Sequence, residues 1–502
     1  MKALIILVIG LIIGSCTKAK EETNIEEEQF LHSIEVSSVI EVQEALSKIK
    51  EGQTLVLLPG EYKHLKLVVR ASGTSKNPIY IKSKKPGEAI ITGNCKVELR
   101  GEYITLDGFL FKNGMRNSSE WRSHGPGLIA IYGSHNRVTE CVVDGFNDVT
   151  NSYITTSLTP EGKAPQYCRI DHCSFMNKTT NDQVMNLNNT AKKSITGPAG
   201  IPMYHRVDHC YFYNPVKKSG NAGGGVRIGY WRKDYGRCRV DSNMFVRQNS
   251  EPEIITSKSM ENIYYQNTFI DCDGTMNFRH GDKQVLLQNF FISNDTKHDA
   301  GGAFIWGSGH MIAGNYFSLR RTMASRGHAA LYLNSGAKEK EHALAYNITI
   351  ANNFFANNNG YAVDLQGLKD RRIPWCKEKG YTYEDPHSIT FNGNIFYQES
   401  YSYDFFSTDQ PAYDFGVFEK NYIYGSPLGI NKKISEVLSK EDFKSKDSDG
   451  VYPLPSCCKP AEVTYRNIEG IDLDISQIAS EGVKGKPLVK NDVGASWYKI
   501  YE

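Results

Sequence analysis

Ile263-Tyr264-Tyr265-Gln266-Asn267-Thr268-Phe269, followed 22 residues later by Val285-Leu286-Leu287-Gln288-Asn289-Phe290-Phe291, is one pattern written twice. Alternating apolar residues lead to a polar pair ending in Asn, and one or two aromatics follow. The pattern recurs at Ile104 to Phe111, Val240 to Phe245, Ile312 to Phe317, Ile348 to Phe355 and Ile389 to Phe396. Asn243, Asn267, Asn289 and Asn315 stand 24, 22 and 26 residues apart, and later gaps of 38 and 41 imply inserted loops. Repeats of this length, built from β-branched and aromatic residues with Gly/Asn turns, predict a solenoid of short strands. One coil cannot bury its apolar face alone, so its neighbours must stack on it, and equivalent Asn side chains can form a ladder. The expected fold is all-β, a right-handed parallel β-helix. Helical periodicity stands out only at Val39, Val42, Leu46 and Ile49, which predicts a short helix capping the first coil.

Working outward, the chain of 502 residues divides into four expected segments: a leader over 1–15, a tether over 16–33, a catalytic β-helix over 34–430 and a C-terminal extension over 431–502. Lys2, the apolar run from Ala3 to Ile13 and the Gly14-Ser15-Cys16 junction have the form of an exported bacterial lipoprotein signal, with Cys16 as the lipidated residue. The expected location is the outer membrane, with the lipid anchor as the sole membrane contact. A net charge of +2 gives no global field, so an anionic partner would need a local basic patch. Ten further cysteines recur in similar strand text, as in Asp171-His172-Cys173 and Asp208-His209-Cys210, and read as small buried residues in a stack.

The chemistry concentrates in 251–281. Glu251 and Glu253 point the same way if that stretch is extended. Asn221, in a glycine-rich run over 221–229, lies about one coil earlier. Two carboxylates and an amide oxygen form an all-oxygen set suited to calcium. By itself a Glu-x-Glu on a strand is more often an exposed polar face. Lys258 and Arg279 add weight, because their separation of 21 residues is about one coil and would stack them beside the carboxylates. That group suits β-elimination of a uronic-acid polymer. Removing the C5 proton requires neutralising the adjacent carboxylate, a task for a bound cation. A lysine pushed toward neutrality can take the proton, and an arginine can stabilise the developing charge.

Asn221, Glu251-x-Glu253-x4-Lys258 and Arg279-His280-Gly281 resemble the calcium and catalytic signature of polysaccharide lyase family 6, whose members are parallel β-helices that cleave alginate or dermatan sulfate. The likeness is nearest to the dermatan sulfate lyases, of chondroitinase B type. It extends through 97–102, 123–127, 153–157, 221–229, 254–259 and 276–282, and overall from about residue 36 to about 490. The resemblance implies calcium on Asn221, Glu251 and Glu253, Lys258 as base, and Arg279 as acid or charge stabiliser. It also implies a substrate cleft lined by His124, Tyr230, His280, Arg326, Glu341, Arg371 and Arg372. The last two would suit sulfate, although without the family they read as an ordinary solvated pair.

The function expected is therefore a calcium-dependent lyase, a monomer acting on an anionic glycosaminoglycan, dermatan sulfate, with no nucleic acid partner. An alginate lyase of the same mechanism and a silent glycan-binding lipoprotein are the alternatives. A polygalacturonase-like hydrolase would want clustered aspartates as acid and base, and the central coils do not offer a persuasive set.

Overall fold

A computed structural model describes residues 33–115, 125–147, 152–188, 201–218, 223–294, 297, 299–319, 329–338, 342–434 and 436–498. Three long parallel sheets of 14, 12 and 14 strands wind together as a parallel β-helix, as the repeat predicts. In one coil Arg239–Asp241 lies in sheet A, Met244–Val246 in sheet B and Glu253–Ser257 in sheet C. The next coil begins with Ile263–Tyr265, paired in parallel on Arg239–Asp241. The coils begin earlier than the legible repeat, at Ser33–Val36.

The polar pair between sheets A and B does two jobs. Its first member takes a left-handed backbone, with φ of 54° at Ser242, 53° at Gln266 and 49° at Gln288, a conformation costing a non-glycine residue about 1 kcal/mol. Its second member turns inward and offsets that cost. Asn243, Asn267, Asn289, Asn315, Asn353, Asn394 and Asn421 are fully buried. Each Nδ2 donates to the Oδ1 of the next, at 2.9–3.0 Å. Toward the N-terminus the same corner position carries Cys210, Cys173 and Cys141, and the Cys210 amide donates to Asn243 Oδ1. Those cysteines are buried free thiols, small stacking residues as read from the sequence. Inside sheet B, Phe175, Phe212, Phe245, Phe269, Phe291, Phe317, Phe355 and Phe396 form a column with ring centroids 4.4–5.5 Å apart.

A helix over Val39–Leu46 closes the first coil, capped by Ser38 and burying Val42 and Ala45. Two further helices, Lys369–Lys379 and Ile475–Glu481, correct the expectation of a single one. The first contains Pro374 and is rich in charge, and the residues it buries are Arg372 and Cys376, so no apolar stripe announces it.

The C-terminal segment runs back along the solenoid. The Tyr452 amide donates to Tyr316 Oη, that of Ala461 to Asn352 Oδ1, that of Leu488 to Thr268 Oγ1 and that of Ala495 to Ser174 Oγ. Gly314 lets it approach: φ there is 65°, and a Cβ would sit 2.5 Å from the Gly482 carbonyl oxygen. The apolar outer faces of sheets A and B, among them Phe290, Tyr316, Val285 and Met311, are packed under this segment. As far as strand Thr275–Phe278 the outer face of sheet C is built differently, with mostly polar residues in register, and the candidate site lies there, before the row passes to Phe304 and Tyr332. Among the described residues no helix is long and apolar enough to cross a membrane.

Candidate active site

The outward register on sheet C runs Glu98, Ala130, Thr155, Asn186, Arg227, Thr256, Asn277, one residue per coil. At strand spacing of about 4.8 Å this row makes a polar floor. Where the floor reaches strand Glu253–Ser257 the register slips: Glu253 pairs with Thr275 but Ile255 with Met276, leaving Ile254 as an extra residue. Ile254 and Ile255 are both fully buried in the core. Glu253 and Lys258 are five residues apart, so in a regular strand they would face opposite ways. The bulge turns them to one side.

Glu251 arrives differently. Glu251 and Pro252 form a bend ahead of the strand, so the carboxylates do not meet by strand alternation, as an extended stretch would have them. The Gly223 and Gly224 amides donate to Glu251 Oε2 at 2.8 and 2.9 Å. Glu251 is 3% exposed, and burial, then the Glu253 charge, raise its pKa. Glu253 Oε2 accepts from Thr256 Oγ1 at 3.0 Å, and its Oε1 lies 3.4 Å from Arg279 Nε.

Arg279 follows strand Thr275–Phe278, one coil beyond Lys258. Its guanidinium lies 4.9 Å over the Trp306 ring, and its Nη1 donates to His342 Nδ1 at 2.9 Å. The Lys258 amine sits 5.6 Å from the centroid of the Tyr230 ring, and the Arg227 guanidinium is 5.7 Å from the same ring. Burial foremost, then Arg227 and Arg279, push Lys258 down to about 8, against the pull of Glu253 and Glu251. His280 is pushed to about 3 by burial and then by Arg279, Lys258 and His342, so it is neutral.

Glu251, Glu253, Lys258, Arg279, Tyr230 and His280 thus gather at one place. Arg371 and Arg372 part company. Both lie on helix Lys369–Lys379, where neighbours diverge by about 100°: Arg371 is exposed, while Arg372 is buried with its Nε donating to Asn334 Oδ1 at 3.1 Å. Asn221, His124, Arg326, Glu341 and Cys16 lie outside the described residues. Sequence reading missed Arg227, Trp306 and His342. Arg227 sits inside the glycine-rich run and Trp306 falls 27 residues after Arg279, so the repeat could have flagged both. His342 follows a long insert and carries no periodic signal.

The family model for chondroitinase B matches residues 36–474. The chain belongs to the chondroitinase B family. Among solved structures it is similar to the PL6 family alginate lyase AlyGC, at 22% identity and a TM-score of 0.73, covering 94% of this chain but 59% of that one. The chain therefore spans less than two thirds of AlyGC. It is also similar to the PL6 polysaccharide lyase Pedsa3628 from Pseudopedobacter saltans, at 18% identity and a TM-score of 0.66, covering 93% of this chain and 100% of that one. A mannuronic acid specific family 6 lyase from human gut microbiota matches at 22% identity and a TM-score of 0.61, covering 78% and 86%. At these identities the likeness establishes the shared fold. No curated protein matches the chain. The chondroitinase B match spans every described residue of the gathered cluster.

Proposed function

We propose that this member of the chondroitinase B family is a calcium-dependent lyase that cleaves dermatan sulfate by β-elimination at the uronic acid. The observation that carries the reading is the pairing of Lys258, its amine pushed down to about 8, with Arg279 on the next coil beside two carboxylates. Glu251 and Glu253 fit a hard divalent cation: they are close enough for one carboxylate to raise the pKa of the other, and both are oxygen donors. They would hold the calcium together with Asn221. When bound there, calcium would neutralise the uronate carboxylate and acidify the neighbouring C5–H.

Neutral Lys258 takes the C5 proton. The electron pair left on C5 forms the C4=C5 double bond as the C4–O glycosidic bond breaks. Arg279, a permanent cation, stabilises the charge that develops, and a water hydrogen-bonded to it protonates the leaving oxygen. Trp306 and Glu253 hold the guanidinium in place, and Tyr230 holds the amine.

The family match supports dermatan sulfate; the alginate lyases among the similar structures support alginate as the second reading. The test is to incubate the protein with dermatan sulfate, chondroitin sulfate and alginate, with and without EDTA, following the ultraviolet absorbance of the unsaturated uronate. Turnover of alginate alone overturns the substrate, and no turnover of any polymer leaves a glycan-binding protein. We also infer export as a lipoprotein through Cys16, which acyl labelling lost in Cys16→Ala tests.

A further inference from the structure

Arg279 is gripped from three sides: by Glu253, by the face of Trp306 and by His342. A guanidinium has no acceptor, so in the 2.9 Å contact the proton belongs to Arg279 and His342 Nδ1 must be bare. His342 is therefore a neutral imidazole carrying its proton on Nε2. Its surroundings keep it so, because burial, then Arg279 and Arg372, push its pKa down to about 3.

His342 is seated in turn by the helix Lys369–Lys379. Its ring meets Trp375 edge-on, with centroids 5.3 Å apart and planes at 69°. Its carbonyl accepts from Asn334 Nδ2 at 3.2 Å, while Asn334 Oδ1 accepts from Arg372 Nε at 3.1 Å. The Arg372 guanidinium lies 5.9 Å over Trp375. A continuous run of contacts thus joins a helix inserted between strands Tyr361–Gly367 and His387–Asn392 to the arginine beside the base.

We propose that His342 is the positioning residue for Arg279, and that helix Lys369–Lys379 supports it through Trp375 and Arg372. This rests on the lyase reading of the same site. The physical reason is competition. Arg279 has a long flexible stem with many rotamers, and one of its other partners, Glu253, is a carboxylate offered to the metal. The His342 acceptor draws the guanidinium away from Glu253. Without it, Arg279 closes on the carboxylate, leaves its place at the reacting sugar and competes with the cation.

His342→Leu removes the acceptor, whereas His342→Asn can place its Oδ1 where Nδ1 stood. The expected result for His342→Leu is a fall in kcat of about 10- to 100-fold, the scale of a misplacement near 1 Å, with KM changed less than about threefold and calcium bound several-fold more weakly. His342→Asn should recover most of kcat, and Trp375→Leu should fall between the two. Equal losses in the Leu and Asn variants, or wild-type kcat in His342→Leu, overturn the inference. A readout independent of turnover is the 15N NMR signal of Arg279: a slowly exchanging Nη–H in the wild type and His342→Asn, lost in His342→Leu. Absence of that signal in the wild type sinks the positioning role even if the enzyme is active. A wild type inert on every polymer that still shows it sinks the lyase reading alone.

Discussion

The pH dependence of turnover tests the assignment of Lys258 most directly. The amine stands at about 8 instead of 10.5, and a base must be neutral to accept a proton. At pH 7 about one molecule in ten then carries a neutral Lys258, against roughly one in 3,000 for an unshifted lysine, a gain of about 300-fold. Since the neutral form accumulates as pH rises, kcat/KM should climb about tenfold per unit below pH 8 and level off above it. Arg227 is the cationic neighbour that depresses the amine most, after burial. Arg227→Gln should move the inflection toward 10.5 by about one unit and cut the rate at pH 7 about tenfold, while the plateau at high pH is recovered. The assay is the initial rate of unsaturated uronate formation from pH 6 to 10, at saturating calcium so that the metal is held constant. An inflection near 6.5 would assign the base to a histidine, against the geometry here, since His280 and His342 are both held at about 3. A flat profile, or an inflection unmoved by Arg227→Gln, refutes the electrostatic account.

Three other outcomes follow from the geometry. Asn289 donates to the Tyr264 and Leu287 carbonyls and to Asn315 Oδ1, and accepts from the amide and Nδ2 of Asn267. Asn289→Ala should cost about 4 kcal/mol by chemical denaturation, from buried groups left unpaired, and a loss under 1 kcal/mol would show that the ladder is not structural. Deleting Ile254 removes the bulge and leaves Glu253 four positions from Lys258, where regular alternation faces both outward, so calcium binding by calorimetry should persist; loss of binding while circular dichroism still reports the strands contradicts this use of the bulge. EDTA should stop turnover and calcium should restore it, and calcium at a hundred times its Kd should stabilise the fold by about 2.7 kcal/mol. Undiminished turnover in EDTA removes the metal from the reaction.

Much of this was written locally. The recurrence of Asn243, Asn267, Asn289 and Asn315 revealed the coil, because each repeat uses the same corner and must match its neighbour to bury a common core. The 21-residue step from Lys258 to Arg279 placed them on adjacent coils for the same reason. Tyr230 and His280 came from resemblance alone, and Glu251 and Glu253 needed Lys258 and Arg279 one coil apart beside them, since a Glu-x-Glu alone does not distinguish a metal site from a wet surface.

What sequence by itself determined is the winding and its period, which are properties of residues that see only the coil above and the coil below. Tertiary structure alone decided the side to which Glu253 turns, because a single extra residue at Ile254 inverts the alternation. It also decided that the Lys258 amine is pushed down to about 8, since that depends on burial and on Arg227 one coil away. Arg279 found His342 across 63 residues, and Arg371 and Arg372 separated on a helix that a proline and many charges concealed. Periodicity cannot report such contacts, because inserts break the register that carries the signal.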